Sequence, residues 1–104
     1  MILTEFWDYK DQISFDKEKP GKALLKETPD SRTTLWCLLP GQHIHPHGHE
    51  GDHIWVILEG VGTFLGDGGP RRVEPGTILV APQGQSHGIE NNGDEGLVFL
   101  SVSA

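Results

Sequence analysis

From residue 22 onward the chain runs in short apolar or alternating segments: 22–27, 33–39, 53–58, 61–65, 71–73, 77–81, 87–90 and 97–102. They are rich in Val, Ile, Leu, Thr, Phe and Trp, the side chains that suit a pleated, half-buried surface. Helical periodicity is nearly absent. Its candidates, such as residues 7–13, are short and polar. Gly66-Asp67-Gly68-Gly69-Pro70 and Glu74-Pro75-Gly76 have the residues that turns demand, Pro to set φ near −65° and Gly to take positive φ. Gly60 and Asn92-Gly93-Asp94 read as two further reversals, each expected to close a hairpin. About eight short strands with no crossover helix predict an all-β domain, an antiparallel sandwich or barrel whose interior can hold a small ligand.

Composition narrows the picture. The chain has 104 residues, and 14 Gly with 7 Pro fit a turn-rich single domain over 1–104. Fifteen acidic against eight basic residues give net −7, a poor match to nucleic acid, which needs clustered Lys and Arg. A single cysteine, Cys37, excludes an internal disulfide. No apolar run approaches the roughly 20 residues a spanning helix needs. The first ten residues lack a basic start and a long apolar stretch. A soluble, cytoplasmic protein without a signal peptide or membrane partner is expected.

The chemistry is concentrated in histidine. Five of the six, His43, His45, His47, His49 and His53, fall within eleven residues, and His87 stands apart. On an extended strand i and i+2 share a face, so His47 and His49 can aim at one point, while His53 opens the next strand on a face shared with Trp55 and Ile57. Two ligands from one segment, one from the following strand and one from a remote strand would surround a metal ion. The run His49-Glu50-Gly51-Asp52-His53 also satisfies the zinc-protease pattern H-E-x-x-H. That chemistry needs a helix, which Gly48 and Gly51 weaken and the Ile-Trp-Val-Ile-Leu run after His53 contradicts.

Gly41, five residues, His47, Gly48, His49, three residues, His53, six residues and Gly60 match the first motif of the cupin family. One position departs from it, His53, where most cupins place Glu. Gly76, five residues, Pro82, Gln83, Gly84, two residues, His87, three residues and Asn91 match the second motif without a gap. With motifs at 41–60 and 76–91, the chain resembles small single-domain cupins with four-histidine sites.

The resemblance implies an antiparallel β-barrel of the jelly-roll, double-stranded β-helix kind. It implies one divalent transition metal per chain, Fe, Mn, Ni, Cu or Zn, on His47, His49, His53 and His87. Asn91 is read as a structural hydrogen-bonding residue. Four neutral imidazoles leave the metal's charge uncompensated, which favours a bidentate anion such as an enolate or 2-oxo acid.

The expected function is a metal-dependent enzyme of dioxygenase type on a small enolizable or carbonyl-bearing molecule. The alternatives are a non-redox isomerase, lyase or decarboxylase, or a non-catalytic binding module. His43, His45, Trp55 and Ile57 are candidates to surround the ligands or line the pocket. Glu50, Asp52, His43 and His45 are the candidate general bases. Cys37 reads as an inert small hydrophobe. Residues 1–21 are read as an extension or edge strand, and a homodimer is expected, with 1–6 a candidate strand for pairing.

Overall fold

The computed structural model describes residues 3–48 and 51–104. Nine strands follow one short 3₁₀ turn, Tyr9–Gln12: β1 Gly21–Glu27, β2 Arg32–Leu38, β3 His43–His47, β4 His53–Glu59, β5 Gly62–Gly66, β6 Arg71–Val73, β7 Ile78–Ala81, β8 His87–Glu90 and β9 Leu97–Ser103. They form a five-stranded sheet, β1-β2-β9-β4-β7, facing a four-stranded sheet, β3-β8-β5-β6. All pairings are antiparallel. The sheets remain two, and the expected barrel is a two-layer β-helix with no continuous hydrogen-bonded wall. Among the described residues no helix is long and apolar enough to cross a membrane.

The expected turns are present, but most do different work. Only Gly66–Pro70 closes a hairpin, between β5 and β6. At Gly60, at Glu74–Gly76 and at Asn92–Asp94 the chain leaves one sheet for the other. Turn chemistry reverses a chain, but hydrogen bonding to the next strand is decided by which sheet can cover its apolar face. Gly60 meets two demands at once. Its φ is +80°, and a Cβ there would overlap the Gly96 carbonyl.

The five-stranded sheet is apolar on both faces, and alternation sorts the side chains. On β2, Leu38 faces inward and Leu35 and Cys37 outward; on β9, Leu97 and Phe99 face inward and Val98 outward. The inner set joins Trp55, Ile57, Val73 and Ile89 in the core between the sheets. The outer set is covered by Tyr9 and Ile13 of the N-terminal segment. Tyr9 is held there by donating its hydroxyl proton to Glu59 Oε2 at 2.9 Å, which favours its neutral form and raises its pKa.

The segment read as an extension or edge strand thus places Tyr9 and Ile13 over the outer face of the five-stranded sheet. Among its described residues, those before β1 carry only the 3₁₀ turn, and Leu3 and Phe6 are exposed. Met1 and Ile2, also named for pairing, lie outside the described residues.

Cys37 lies under that cover. Burial pushes its thiol pKa up, a hydrogen bond with the Ser14 backbone opposes this, and the Glu59 carboxylate adds to the rise. The thiolate, the reactive form, is thus scarce at neutral pH. We expect iodoacetamide to leave Cys37 unmodified in the folded chain and to alkylate it fully in urea, as read by intact mass. Rapid stoichiometric alkylation of the folded chain would show the cover to be open.

Candidate functional site

Inward positions of the five-stranded sheet line up in rungs. Arg32 pairs with Ser103 and Ser103 with His53; Thr34 pairs with Ser101 and Ser101 with Trp55; Trp36 pairs with Phe99 and Phe99 with Ile57. The interior thus grades from polar to apolar along the strands. Leu38 and Leu97 close the apolar end. At the polar end lies a cavity of about 220 Å³, lined by Arg32, Thr34, Trp36, His53, Trp55, Ser101 and Ser103 from this sheet. Lys22 of β1 and, from the facing sheet, Ile44, His47 and His87 complete the lining.

A bulge brings the facing histidines together. Ile44 pairs with Ile89 and His47 with His87, three residues along β3 against two along β8. The extra residue switches parity, so Ile44 and His47 both reach the cavity, while His43 and His45 face one another outside it. Pro46, which has no N–H to give a ladder, sits in the irregular stretch. Gly88 lets it lie close, since a Cβ there would stand 2.6 Å from the Pro46 nitrogen.

His87 is the centre of the cluster. It is only 2% exposed, with ring centroids 4.5 Å from His53, 5.4 Å from His47 and 5.4 Å from Trp55. Nδ1 of His87 donates to the Gln85 carbonyl at 3.1 Å, and Nδ1 of His47 donates to the His45 carbonyl at 2.7 Å. A neutral imidazole with its proton on Nδ1 carries its lone pair on Nε2. His53 Nδ1 lies 3.2 Å from the Ser103 hydroxyl. All three rings are thus oriented through one nitrogen, as metal-ligating histidines are. Among the described residues no group of three His, Cys, Asp or Glu side chains suffices for an ion. His49, the fourth expected ligand, lies outside the described residues, as does Glu50.

The other expected residues separate. Trp55 lines the cavity, and its buried Nε1 has no hydrogen-bond partner among the described residues. Ile57 packs in the core and does not line it. His43 and His45 are exposed, their Nε2 atoms 3.1 Å apart; His45 serves the site through its backbone carbonyl. Asp52 Oδ1 is engaged by the Gln83 amide at 3.0 Å. His53 starts a strand, so the helical geometry of H-E-x-x-H is not formed.

Sequence reasoning placed neither Arg32 nor the serines at the site. Arg32 is held by Glu27, with Nε to Oε2 at 2.6 Å, and Lys22 Nζ stands 5.4 Å over the Trp36 ring. Parity was the available signal, since Ser101 and Ser103 continue the inward series of Leu97 and Phe99.

The oxalate-binding protein of Thermotoga maritima is 36% identical to this chain over 83 residues, which cover 76% of the chain and 69% of that protein. The dimethylsulfoniopropionate lyase DddW of Ruegeria pomeroyi is 37% identical over 60 residues, 58% of this chain but only 39% of the lyase. A solved double-stranded β-helix protein from Klebsiella pneumoniae superposes with a TM-score of 0.90 at 30% identity, covering 98% of this chain and 90% of its own. The cupin domain itself matches residues 34–103, from within β2 to the last residue of β9, and the chain belongs to that family.

Proposed function

We propose that this cupin holds one divalent transition metal on His47, His53 and His87 together with His49, and uses it to bind a small bidentate anion of the oxalate or 2-oxo acid class. A bound metal supplies Lewis acidity and, with imidazole ligands only, an uncompensated positive charge. The observation that carries the reading is the cavity's charge. Lys22 and Arg32 line it, and no carboxylate does among the described residues. Lys22 and Arg32, the latter shared with Glu27 outside the lining, favour beside an all-imidazole site an anion such as oxalate over a neutral guest. The serine hydroxyls are further donors to its oxygens. The likeness to an oxalate-binding protein supports this choice.

Among the described lining residues none is a carboxylate, and Glu50, a candidate base, lies outside the described residues. The likeness to a lyase supports a second reading, in which the same anion site stabilises an enolate for elimination. The dioxygenase reading adds oxygen as co-substrate.

Titration calorimetry of oxalate into metal-loaded and metal-free chain tests the proposal. We expect binding only in the loaded form and about tenfold weaker binding in Arg32→Gln, the loss of one charge-assisted contact. Equal affinity with and without metal would overturn it. Oxygen uptake by ferrous-loaded chain with a 2-oxo acid distinguishes the oxygenase reading.

A further inference from the structure

The cavity at the histidines is not the end of the recess. A second hollow of about 650 Å³ adjoins it, with Lys22, Trp36 and Ile44 lining both. Its outer wall comes from residues 14–20, upstream of the family match, which starts at residue 34.

That wall is fastened at several points. Gln42 Nε2 donates to the Asp16 carbonyl at 2.6 Å, and Gln42 Oε1 accepts from the Leu39 amide at 2.8 Å. The Ser14 carbonyl lies where any Cβ at position 21 would stand, so Gly21 admits it. The Phe15 ring rests on Gly96, with its Cζ 2.5 Å from where a Cβ would be. Phe15 also lines the hollow while staying 39% exposed.

Size separates the two compartments. At about 220 Å³ the inner one is below the roughly 300–1,000 Å³ usual for small-molecule sites, and the outer one is within that range. The inner lining is polar and cationic. The outer one has charged residues at its rim, Asp16, Lys19 and Lys22, but adds to Trp36 a second aromatic ring, Phe15, with Ile44 and Pro20 beside them. Trp36 is half-buried at the junction, where it meets both compartments.

Resting on the anion reading above, we propose that the ligand is a carboxylate or 2-oxo acid bearing an aromatic tail. Its acid head occupies the cationic inner cavity and its ring lies between Phe15 and Trp36, which makes residues 14–20 a specificity-determining wall. Aromatic rings gain from edge or offset contact with one another beyond the area they bury, so the wall discriminates by the tail's chemistry as well as its length.

Calorimetry with nickel-loaded full-length chain and four probes tests this: oxalate, pyruvate, phenylpyruvate and the aliphatic 4-methyl-2-oxopentanoate. We expect phenylpyruvate to bind at least about tenfold more tightly than pyruvate, and more tightly than the aliphatic acid. In Phe15→Ala, whose ring lies at the surface, that preference should fall several-fold while oxalate affinity stays unchanged. Trp36→Leu should reduce it further. Equal affinities for pyruvate and phenylpyruvate, with oxalate binding intact, overturn the aromatic-tail inference and leave the anion reading standing. An aliphatic acid matching phenylpyruvate overturns the aromatic assignment. A preference unchanged in Phe15→Ala overturns the role of the wall. Failure of every anion to bind overturns both.

Discussion

Replacing His87 with Ala should remove stoichiometric metal from the purified chain, although all five histidines from 43 to 53 remain. His87 comes from β8, yet it is the ring that meets both His47 in its own sheet and His53 across the interior. Without it, the remaining histidines face one another from different sheets with no ring between. Losing even an outer partner of a ligand costs about 10–100-fold in metal affinity, so loss of a ligand should cost at least about 100-fold.

Heat reads the same event independently. A metal present at about 100 times its dissociation constant stabilises the native chain by about 2.7 kcal/mol. In a domain of this size each kcal/mol moves the midpoint by roughly 4–8 °C. Nickel should therefore raise the melting temperature of the unaltered chain by about 10–20 °C and leave His87→Ala unmoved. Changing His43 or His45 to Ala should preserve both metal and shift, because the His45 atom serving His47 is a backbone oxygen that alanine keeps. Full metal content in His87→Ala, by elemental analysis, would make residues 43–53 a scavenging tract and end the four-histidine reading.

Much of this was legible in the sequence, for identifiable reasons. β6 and β8 coincide with their expected spans, and β1, β2, β4, β5, β7 and β9 differ by a residue or so at their ends. Their patterns of branched and aromatic residues follow the pleat directly. β3 escaped as an element because His-Ile-His-Pro-His offers a single branched residue, Ile44, and a Pro that interrupts the ladder. What makes it a strand is the partner β8, whose Gly88 admits its bulged backbone.

Pairing was less legible than elements. Gly60 looks like a hairpin glycine, and its positive φ is real, but β4 and β5 belong to different sheets. Nothing local distinguishes a hairpin from a corner. The histidines stood out by number and spacing, whereas Arg32 and Ser103 reach the same site only because rungs of β2 and β9 align with His53. Register is a non-local property, and these residues carry no mark of it.

Asn91, read from the second motif as structural, should give the largest loss of stability. It is fully buried, and its side chain makes three hydrogen bonds. Nδ2 donates to the Leu38 carbonyl at 2.9 Å and to the Glu95 carbonyl at 2.8 Å, and Oδ1 accepts from the Gly93 amide at 3.1 Å. Its backbone also ties β8 to the turn before β3, donating to the Gln42 carbonyl at 2.9 Å and accepting from Gly41 at 2.8 Å. One side chain thus joins β2, β8 and the corner into β9.

Asn91→Ala strands two carbonyls and an amide in the interior. At roughly 1–3 kcal/mol for each unsatisfied group the sum is about 3–9 kcal/mol, and with two of the three bonds only part-buried the loss should fall in the lower half of that range, a large part of the 5–15 kcal/mol a domain possesses. Asn91→Asp changes one atom and adds a pH dependence. Its carboxylate would face two carbonyl oxygens in a buried site, and both burial and those partial charges disfavour the ionised form, so its folded pKa is raised. A raised pKa means stability that is present at low pH and lost as pH rises through the folded value. In urea titrations of the metal-free chain, Asn91→Asp should therefore lose stability relative to the unaltered chain between about pH 5 and 8. Asn91→Ala should keep a constant deficit over the same range. If Asn91→Asp matched the unaltered chain at pH 8, the two donated bonds would not be what holds this corner. The joint would then rest on the backbone pairs to Gly41 and Gln42, which both substitutions leave in place.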